Sequence, residues 1–567
     1  MVEKIFVREY LESLKEDTEL DFIFVLLLEA MGLKIVTTPK EYKGQPQYGK
    51  DIIATGPASD GIDYKWYFEL KGHADRDINQ SNFLKDDGAR MSLLEAKDTD
   101  FVNHAIPGFN QLTVKYVLVH NGVVKGNFRP TFDGFVSKNF ALNQFEHWDI
   151  HALTNLFAEH LFGEYLLTDQ NSVRLFKRVL VFLSVPEYQF EDVDLLADHL
   201  VSQYKSKPGK RNLQKLMVTF NLLAMLLWHY AKENNNLHPA KIAIPKLVLK
   251  CWVFILSSGA ERDRTYTARF EKLANIYLYF LQDYFLKTMP FANTKKGLFS
   301  VLNSTFEPLG QRLRSFEYLD DLIFFYLLAE KVAPETTAIH GNQVKDKALI
   351  KELIKNNYDA FTNPVLDSHL IPIVHLFGYF FHCHDFDQND YEFLSEYLVG
   401  CVDNIIIRKQ IKNVWPHAGA DPAPLIEFEA SGIKSNRYQD SSSLLITVLM
   451  ELTAIFNLKT LYDQVRGFVS NEINLQIAYP LPGQDETLEN MLFSKHMDDE
   501  YYVETHIVLP ENFEVFKENL LAKPRSAHAL RTIQVNYGFL IILAQSHYRN
   551  EPFPYEWRGF IDRLNFM

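Results

Sequence analysis

Residues 49–71 read GKDIIATGPASDGIDYKWYFELK, and this stretch decides the fold expected for the first part of the chain. It contains two runs rich in aromatic and β-branched residues, 51–55 and 64–71, with the turn-rich segment 56–61 between them. Apolar runs separated by Gly and Pro are typical of neighbouring strands joined by a loop. The stretch therefore predicts two strands that lie side by side.

The second strand ends in Glu69-Leu70-Lys71, and its alternation places charged groups on one face. Residues two apart on a strand point to the same side, so Glu69 and Lys71 project together while Leu70 turns into a core. Asp51 reaches the same face if the two strands are neighbours. Two carboxylates and an ammonium are costly to bury unless they pair with one another or bind a metal. The pattern indicates a Mg²⁺ site suited to phosphodiester cleavage.

The order of elements around this stretch adds a second signal. The sequence predicts a helix at 6–32, a short strand at 33–36, the Gly-x-Asp strand at 51–55 and the Glu-x-Lys strand at 64–71. Further helix is predicted up to 102, followed by a strong strand at 114–120, a last strand at 145–150 and a helix from 151 to 157. Over residues 1–165 this order resembles the PD-(D/E)xK nuclease superfamily, which includes type II and Mrr-like restriction endonucleases. The resemblance implies a mixed central sheet flanked by helices.

The resemblance also implies roles for individual residues. Asp51, Glu69 and the main-chain carbonyl of Leu70 would bind Mg²⁺ or Mn²⁺, and Lys71 would orient or deprotonate the attacking water or hold the scissile phosphate. Glu29, near the end of the first helix, matches an acidic residue that supports the metal site in the superfamily. A solvent-facing Glu29 explains its position equally well. A surface hairpin without catalytic consequence is the alternative for the whole motif.

Nucleic-acid contacts are predicted from a few basic residues. Lys50 lies beside Asp51 and points away from the metal face if the strand has already begun, where it would touch phosphate or be solvated. Lys125 and Arg129 belong to a modest basic cluster on the loop and helix after the fourth strand. The formal net charge of −14 argues against a basic coat over the whole surface, but it leaves room for a local basic cleft.

Bulk properties fit a large cytoplasmic protein. A chain of 567 residues suggests two to four domains. Its three Cys residues lack the spacing of metal ligands, which fits a reducing compartment. We expect no secretory signal and no membrane span, because no apolar run reaches about eighteen residues.

The remaining chain is predicted to be mostly helical, so the fold class is α+β and multidomain. Segments with a helical period dominate 166–411. Pro, Gly and Ser mark 412–443 as an irregular linker. Residues 444–567 are predicted to form a mostly helical C-terminal domain, with short strands near 473–478 and 503–509.

One further acidic segment partly matches a calcium loop. Asp385, Asp387 and Asn389 occupy alternating ligand positions, and Glu396 stands at the twelfth. Asp390, however, replaces the glycine that makes the sharp turn. A helix N-cap formed by Asn389 or Asp390 is the favoured explanation.

The function predicted from the sequence is metal-dependent endonucleolytic cleavage of DNA, in a restriction or anti-phage defence effector. The helical region would bind a protein partner or activator, and a homo-oligomer is expected because one such site cuts one strand at a time. Two alternatives stay open: a nuclease that acts on RNA, and a non-enzymatic helical scaffold that carries an inactive nuclease fold.

Overall fold

A computed structural model describes most of the chain and divides it into two compact units, Met1–Lys250 and Cys251–Met567. The described residues are 7–8, 11–12, 20–38, 48–72, 75–86, 88–162, 170–183, 185, 188, 190–298, 307–332, 340–470, 472–481, 485–494, 501–523 and 530–564. The domain boundaries predicted after 165, 411 and 443 are not tested by this division and stay predictions.

The first unit contains a five-stranded sheet whose strands lie in chain order. The strands are β1 (Lys34–Thr37), β2 (Ile52–Pro57), β3 (Asp63–Lys71), β4 (Val114–His120) and β5 (Phe145–Trp148). β1, β2 and β3 pair antiparallel, whereas β3, β4 and β5 pair parallel. The predicted mixed sheet is therefore confirmed, and each predicted strand overlaps an observed one.

Helices cover both faces of this sheet, as the unbroken run of buried residues along β3 requires. They are α1 (Asp21–Ala30), α2 (Gln80–Leu84), α3 (Ala89–Asp98), α4 (Arg129–Asn139) and α5 (Ile150–Phe157). Phe24 of α1 packs edge-on against Phe68 and contacts Trp148 on one face. Apolar residues of α2, α3 and α4 form a cluster with Ile53 and Tyr67 on the other face. Most of the predicted helix segment before Leu20 lies outside the described residues.

The rest of the first unit is helical. A π-helical turn (Ala158–Phe162) continues α5 and is followed by α6 (Gln170–Phe182), α7 (Glu191–Ser206), α8 (Lys210–Glu233) and α9 (His238–Ser257). The division between the two units falls within α9, after Lys250. Helix α8 and the π-helical turn both pack against α1. Helix α1 is therefore covered by the sheet and by other helices, which explains why Ile23, Leu26, Leu27 and Leu28 are all buried.

The second unit is mostly helical with a small three-stranded sheet. Its helices are α10 (Arg264–Ala292), α11 (Glu307–Val332), α12 (Gln343–Asn356), α13 (Tyr358–Phe361), α14 (Leu370–His382), α15 (Gln388–Lys412), α16 (Ala423–Ser431), α17 (Leu444–Ile455), α18 (Lys459–Val469), α19 (Asp485–Leu492), α20 (Phe513–Leu521), α21 (Arg531–Gln534), α22 (Phe539–Tyr548), α23 (Tyr555–Arg558) and α24 (Phe560–Leu564). The strands are β6 (Ser442–Ser443), β7 (Asn474–Pro480) and β8 (Tyr501–Thr505), with β7 in the centre. The short strands predicted in this region therefore exist.

The segment 412–443 differs from the irregular linker that its Pro and Gly content predicts. It contains α16, and Val414, Leu425, Phe428 and Tyr438 belong to a buried apolar cluster with residues of α11 and the loop before α14. Apolar residues spaced between the turn-forming ones provide enough buried surface to fix the segment. Turn chemistry alone does not distinguish a flexible linker from a packed irregular segment.

The acidic segment at 385–396 begins helix α15. Asp387 is the N-cap, and it forms a reciprocal capping box with Asp390. The carboxylate of Asp390 also contacts the ammonium groups of Lys347 and Lys351, at 2.5 and 2.6 Å. A cap was predicted, but it is formed by Asp387 and not by Asn389 or Asp390. Two lysines beside Asp390 are the opposite of what a calcium site requires.

A buried ion pair joins elements of the second unit that are far apart in sequence. Arg558 is fully buried and binds Glu451 with two hydrogen bonds of 2.6 and 2.8 Å. The indole N–H of Trp557 donates to the same carboxylate at 2.8 Å. Such a pair keeps its charges in the interior because each group faces the opposite charge through direct hydrogen bonds. Among the helices described, none is both long enough and apolar enough to cross a bilayer.

Candidate active site at the start of β2 and the end of β3

The Gly-Lys-Asp segment enters β2 through a tight turn. Tyr48 and Gly49 both have positive φ angles, 50° and 69°. A Cβ atom at Gly49 would lie 1.8 Å from the main-chain oxygen of Ser92 on α3. Glycine is required here both by the backbone angle and by the close approach of α3. The turn therefore fixes where Lys50 and Asp51 leave the loop.

Asp51 is held against β3 by two hydrogen bonds. Its main-chain N–H donates to the carbonyl of Phe68 at 2.9 Å, and its carboxylate accepts the N–H of Leu70 at 2.7 Å. Main-chain groups two residues apart on a strand point to the same neighbouring strand, so the carbonyl of Leu70 also points toward β2. The Asp51 carboxylate and the Leu70 carbonyl thus lie together where β2 begins and β3 ends.

Glu69 and Lys71 form an ion pair at the end of β3. The Nζ of Lys71 lies 2.8 Å from a carboxylate oxygen of Glu69, and the two side chains are 12% and 4% exposed. A carboxylate buried to this degree is costly without a compensating charge, and Lys71 supplies one. The predicted projection of both side chains to one face is confirmed by this contact.

The register of the strands brings Asp51 opposite Glu69. Ile52 pairs with Phe68 and Ile53 with Tyr67, so one further step back along β2 places Asp51 across from Glu69. Cross-strand partners share a face of an antiparallel pair. The structure therefore brings Asp51, Glu69 and Lys71 together on one face at one end of the sheet.

Lys50 lies on this same face; it was predicted to point away only if the strand had already begun, and β2 begins at Ile52. Its Nζ lies 5.2 Å from the centre of the Tyr67 ring and donates to the carbonyl of Tyr48 at 3.1 Å. Because the turn at Gly49 precedes the extended backbone, the alternation of a strand does not yet apply at Lys50. The side chain is 4% exposed, and burial lowers the pKa of its ammonium to about 8.

A polar network continues from Tyr67 along the face. The hydroxyl of Tyr67 donates to Asp100 at 2.6 Å, and Lys65 contacts the same carboxylate oxygen at 3.0 Å. Burial acts to raise the pKa of Asp100, but the hydrogen bonds from Tyr67 and Lys65 outweigh burial and lower it. The network fixes the ring on which the Lys50 ammonium rests.

Two histidines extend the face on the other side of Lys71, and sequence reasoning did not select them. His120 is the register partner of Lys71, and its Nε2 lies 2.7 Å from Nε2 of His147. The Nδ1 of His120 lies 2.8 Å from the carbonyl of Arg76 and donates to it. Burial lowers the pKa of His120 to about 4, so the ring is neutral and accepts the N–H of His147. The strand register places His120 and His147 on the same face of the sheet as Glu69. The alternation of side chains along the two predicted strands was the sequence signal that could have found them.

Comparison with known proteins gives no further evidence about this site. No protein-family model, no curated protein and no solved structure matches the chain. The relation to the PD-(D/E)xK nucleases therefore stays a prediction based on Asp51, Glu69 and Lys71 and on the order of the elements around them.

The oxygen groups at this edge fit a hard divalent cation. Two carboxylates and a main-chain carbonyl are the kind of ligand set that Mg²⁺ takes, with water in the remaining positions. No group of three or more His, Cys, Asp and Glu side chains gathers among the described residues. That observation does not conflict with the predicted set, because the set contains only two such side chains, Asp51 and Glu69.

The other predicted site residues lie further out. Glu29 is half-buried in the last turn of α1, and α1 packs on the Phe68 face of the sheet, opposite to the face that carries Glu69. Lys125 pairs with Asp77 at 2.6 Å, and Arg129 pairs with Asp133 at 3.0 Å. Their predicted contacts with nucleic acid, and the supporting role of Glu29, stay predictions.

Asp149 belongs to a helix terminus, as its position between a strand and a helix predicts. Its carboxylate accepts the main-chain N–H groups of His151 and Ala152, both at 3.0 Å. It is the N-cap of α5. The last strand and its helix are therefore joined by a cap and not by a second acidic site.

Proposed function

We propose that the sheet of the first unit carries a metal-dependent endonuclease site that hydrolyses phosphodiester bonds, with DNA as the first substrate to test. The observation that supports this most directly is the contact of the Asp51 carboxylate with the N–H of Leu70, between Glu69 and Lys71. It brings the parts of the Gly-x-Asp and Glu-x-Lys motifs to one edge. If the two motifs occurred only by chance, there would be no reason for their residues to lie together in the fold.

Each residue of the site has a distinct role in this proposal. Asp51, Glu69 and the carbonyl of Leu70 would hold the cation, which in such sites lowers the pKa of bound water and neutralises charge on the phosphate. Lys71 is an ammonium paired with Glu69, and in this proposal it would bind a non-bridging oxygen of a phosphate group next to that carboxylate. The fixed positions of these groups would limit reorganisation when a phosphate enters.

The test is plasmid nicking by the full chain with Mg²⁺ or Mn²⁺. We expect Glu69→Gln and Lys71→Met each to lower the cleavage rate at least about a hundredfold, because each removes a charge that contacts the reacting groups. Glu146→Gln is the matched control. Glu146 forms a comparable pair with Lys115 at 2.6 Å in the same sheet, but it lies on the opposite face.

Two outcomes would contradict the proposal. Equal cleavage by the wild type and by both site variants would assign the activity to a contaminant or to another site. Absence of cleavage by the folded wild type, together with no Mn²⁺ binding that depends on Glu69, would remove the nuclease assignment altogether. Parallel single-stranded DNA, duplex DNA and RNA substrates decide between DNA and RNA, and a restriction or defence role depends on finding cleavage first.

A further inference from the structure

The residue before the glycine of the Gly-Lys-Asp turn has an unusual main-chain conformation. Tyr48 has a φ of 50°, in the left-handed region that residues other than glycine, asparagine and aspartate rarely adopt. An aromatic residue in this region is strained, and it persists there only where surrounding contacts hold it. Strained residues of this kind concentrate at functional sites, so the conformation of Tyr48 calls for a functional explanation.

Two contacts hold Tyr48 in this conformation. Its main-chain carbonyl accepts a hydrogen bond from the Nζ of Lys50 at 3.1 Å, and Lys50 itself is buried on the face of the candidate metal site. The next residue, Gly49, lies so close to α3 that a Cβ atom there would be 1.8 Å from the main-chain oxygen of Ser92. The position of Tyr48 is therefore fixed relative to the candidate site.

The ring of Tyr48 nevertheless extends into solvent. It is 52% exposed, so burial of the side chain does little to offset the strain of the main chain. Arg90 and Met91, which precede Ser92 on α3, are exposed as well, and the close approach of Gly49 to Ser92 brings them near Tyr48. Single-stranded nucleic acids bind where aromatic rings lie near positive charge, because bases stack on the rings and cations attract the phosphates.

We propose that Tyr48 stacks on an unpaired nucleobase next to the scissile phosphate, and that the site therefore takes single-stranded nucleic acid in preference to a duplex. This inference rests on the proposed nuclease function. Asp51 follows Tyr48 by three residues, so their Cα atoms lie at most about 11 Å apart. A base inside a duplex is already stacked on both sides, so a tyrosine ring reaches its face only where the strand is single or locally opened.

The test is binding of the full chain, followed by fluorescence anisotropy, to a labelled thymidine oligonucleotide, an abasic oligonucleotide of the same length and a duplex of that length. Ca²⁺ replaces Mg²⁺ to slow cleavage, since it lacks the strict octahedral geometry of Mg²⁺. Tyr48→Asn removes the ring and suits the left-handed conformation, so the turn is kept. We expect it to weaken binding of the thymidine strand about fivefold or more and to leave binding of the abasic strand unchanged.

Two further variants separate stacking from other effects. Tyr48→Phe keeps the ring and is expected to bind all three ligands as the wild type does. Tyr502→Asn is the matched control, because Tyr502 is a tyrosine of similar exposure, 49%, that lies in the second unit. It is also expected to bind as the wild type does.

The possible failures are distinguishable. Unchanged binding of the thymidine strand by Tyr48→Asn, or equal weakening for the thymidine and abasic strands, would overturn the stacking proposal and leave the nuclease proposal standing. Tighter binding of the duplex than of the thymidine strand by the wild type would overturn the preference for single strands. Absence of binding of every strand by the folded wild type would count against both proposals, because no nucleic acid would then reach the site.

Discussion

Three lysines around β3 carry the same side chain but differ in what surrounds it. Lys65 contacts Asp100, and Lys71 contacts Glu69, so each ammonium faces a carboxylate. Lys50 contacts the carbonyl of Tyr48 and the ring of Tyr67, and the carboxylates of Asp100, Glu95 and Glu69 act on it only through longer-range attraction. Burial outweighs this attraction and lowers the pKa of Lys50.

Gly49 gives the sharpest prediction at the scale of one residue. Gly49→Ala is expected to lower the free energy of unfolding by at least about 3 kcal/mol, because it adds strain at a positive φ and places a Cβ against Ser92. Gly61→Ala is the control. Gly61 also has a positive φ, 78°, but nothing lies within 4 Å of its Cβ position.

Urea unfolding of both variants measures the difference. Gly61→Ala is expected to cost only about 1 kcal/mol, which is the conformational penalty by itself. Equal losses in the two variants would mean that the contact with α3 does not constrain the Gly-Lys-Asp turn. We also expect Gly49→Ala, and not Gly61→Ala, to lower cleavage if the site is a nuclease, since the turn positions Asp51.

At the scale of elements, a buried polar chain links four helices of the second unit. Asp320 of α11 lies 2.6 Å from Nδ1 of His375 on α14, and Nε2 of His375 lies 2.8 Å from the side-chain oxygen of Gln545 on α22. The amide of Gln545 donates to Glu556 of α23 at 2.9 Å. Both imidazole nitrogens face acceptors, so the ring donates twice and is held in its charged form.

This chain predicts a pH dependence of stability with a definite sign. Burial acts to lower the pKa of His375, but Asp320 and Gln545 outweigh burial and raise it above 6.5. A raised pKa in the folded state gives stability that is fully present below the unfolded pKa and is lost as the pH rises through the folded value. Asp320→Asn removes the charge that holds the proton, so it should destabilise most below the ordinary histidine pKa of 6.5 and progressively less as the pH rises above it.

Chemical unfolding of the wild type and of Asp320→Asn between about pH 5 and 9 measures this difference. Glu330→Gln is the matched control, because Glu330 contacts an exposed histidine, His382, at 3.1 Å. Solvent screens that pair, so its loss should change stability little at any pH. A destabilisation by Asp320→Asn that stays constant or grows with pH would show that His375 is neutral in the folded protein.

At the scale of the whole molecule, the first unit extends beyond the sheet. Helix α1 packs on the sheet with Phe24 and is also contacted by α8 and by the π-helical turn. A helix that is apolar on all sides is stable only when it is covered on all sides. The sheet and the helices that follow it are therefore expected to fold as one cooperative unit.

Two fragments test this expectation. A fragment of residues 1–259 keeps α9 complete and should unfold cooperatively, whereas a fragment of residues 1–165 lacks α8 and should be less stable and bind a hydrophobic dye. The exposed apolar surface of α1 is the physical reason. Equal stability of the two fragments would instead support the boundary that the sequence predicts after 165.

The sequence by itself determined the strands, their order and the face shared by Glu69 and Lys71, because period-two alternation and Gly/Pro punctuation are local properties. Tertiary structure decided what depends on residues far apart in the chain. The backbone of Ser92 forces the turn at Gly49 and brings Lys50 over Tyr67, and strand register places His120 beside Lys71.

The same division holds in the second unit. Helical periodicity predicted its helices, but no local pattern shows that 412–443 is packed or that Arg558 meets Glu451. Those facts arise from long-range packing, where the burial of apolar side chains brings charged groups from distant segments together. A local sequence pattern determines the conformation of a segment, and only the fold determines which charged groups from other segments that segment contacts.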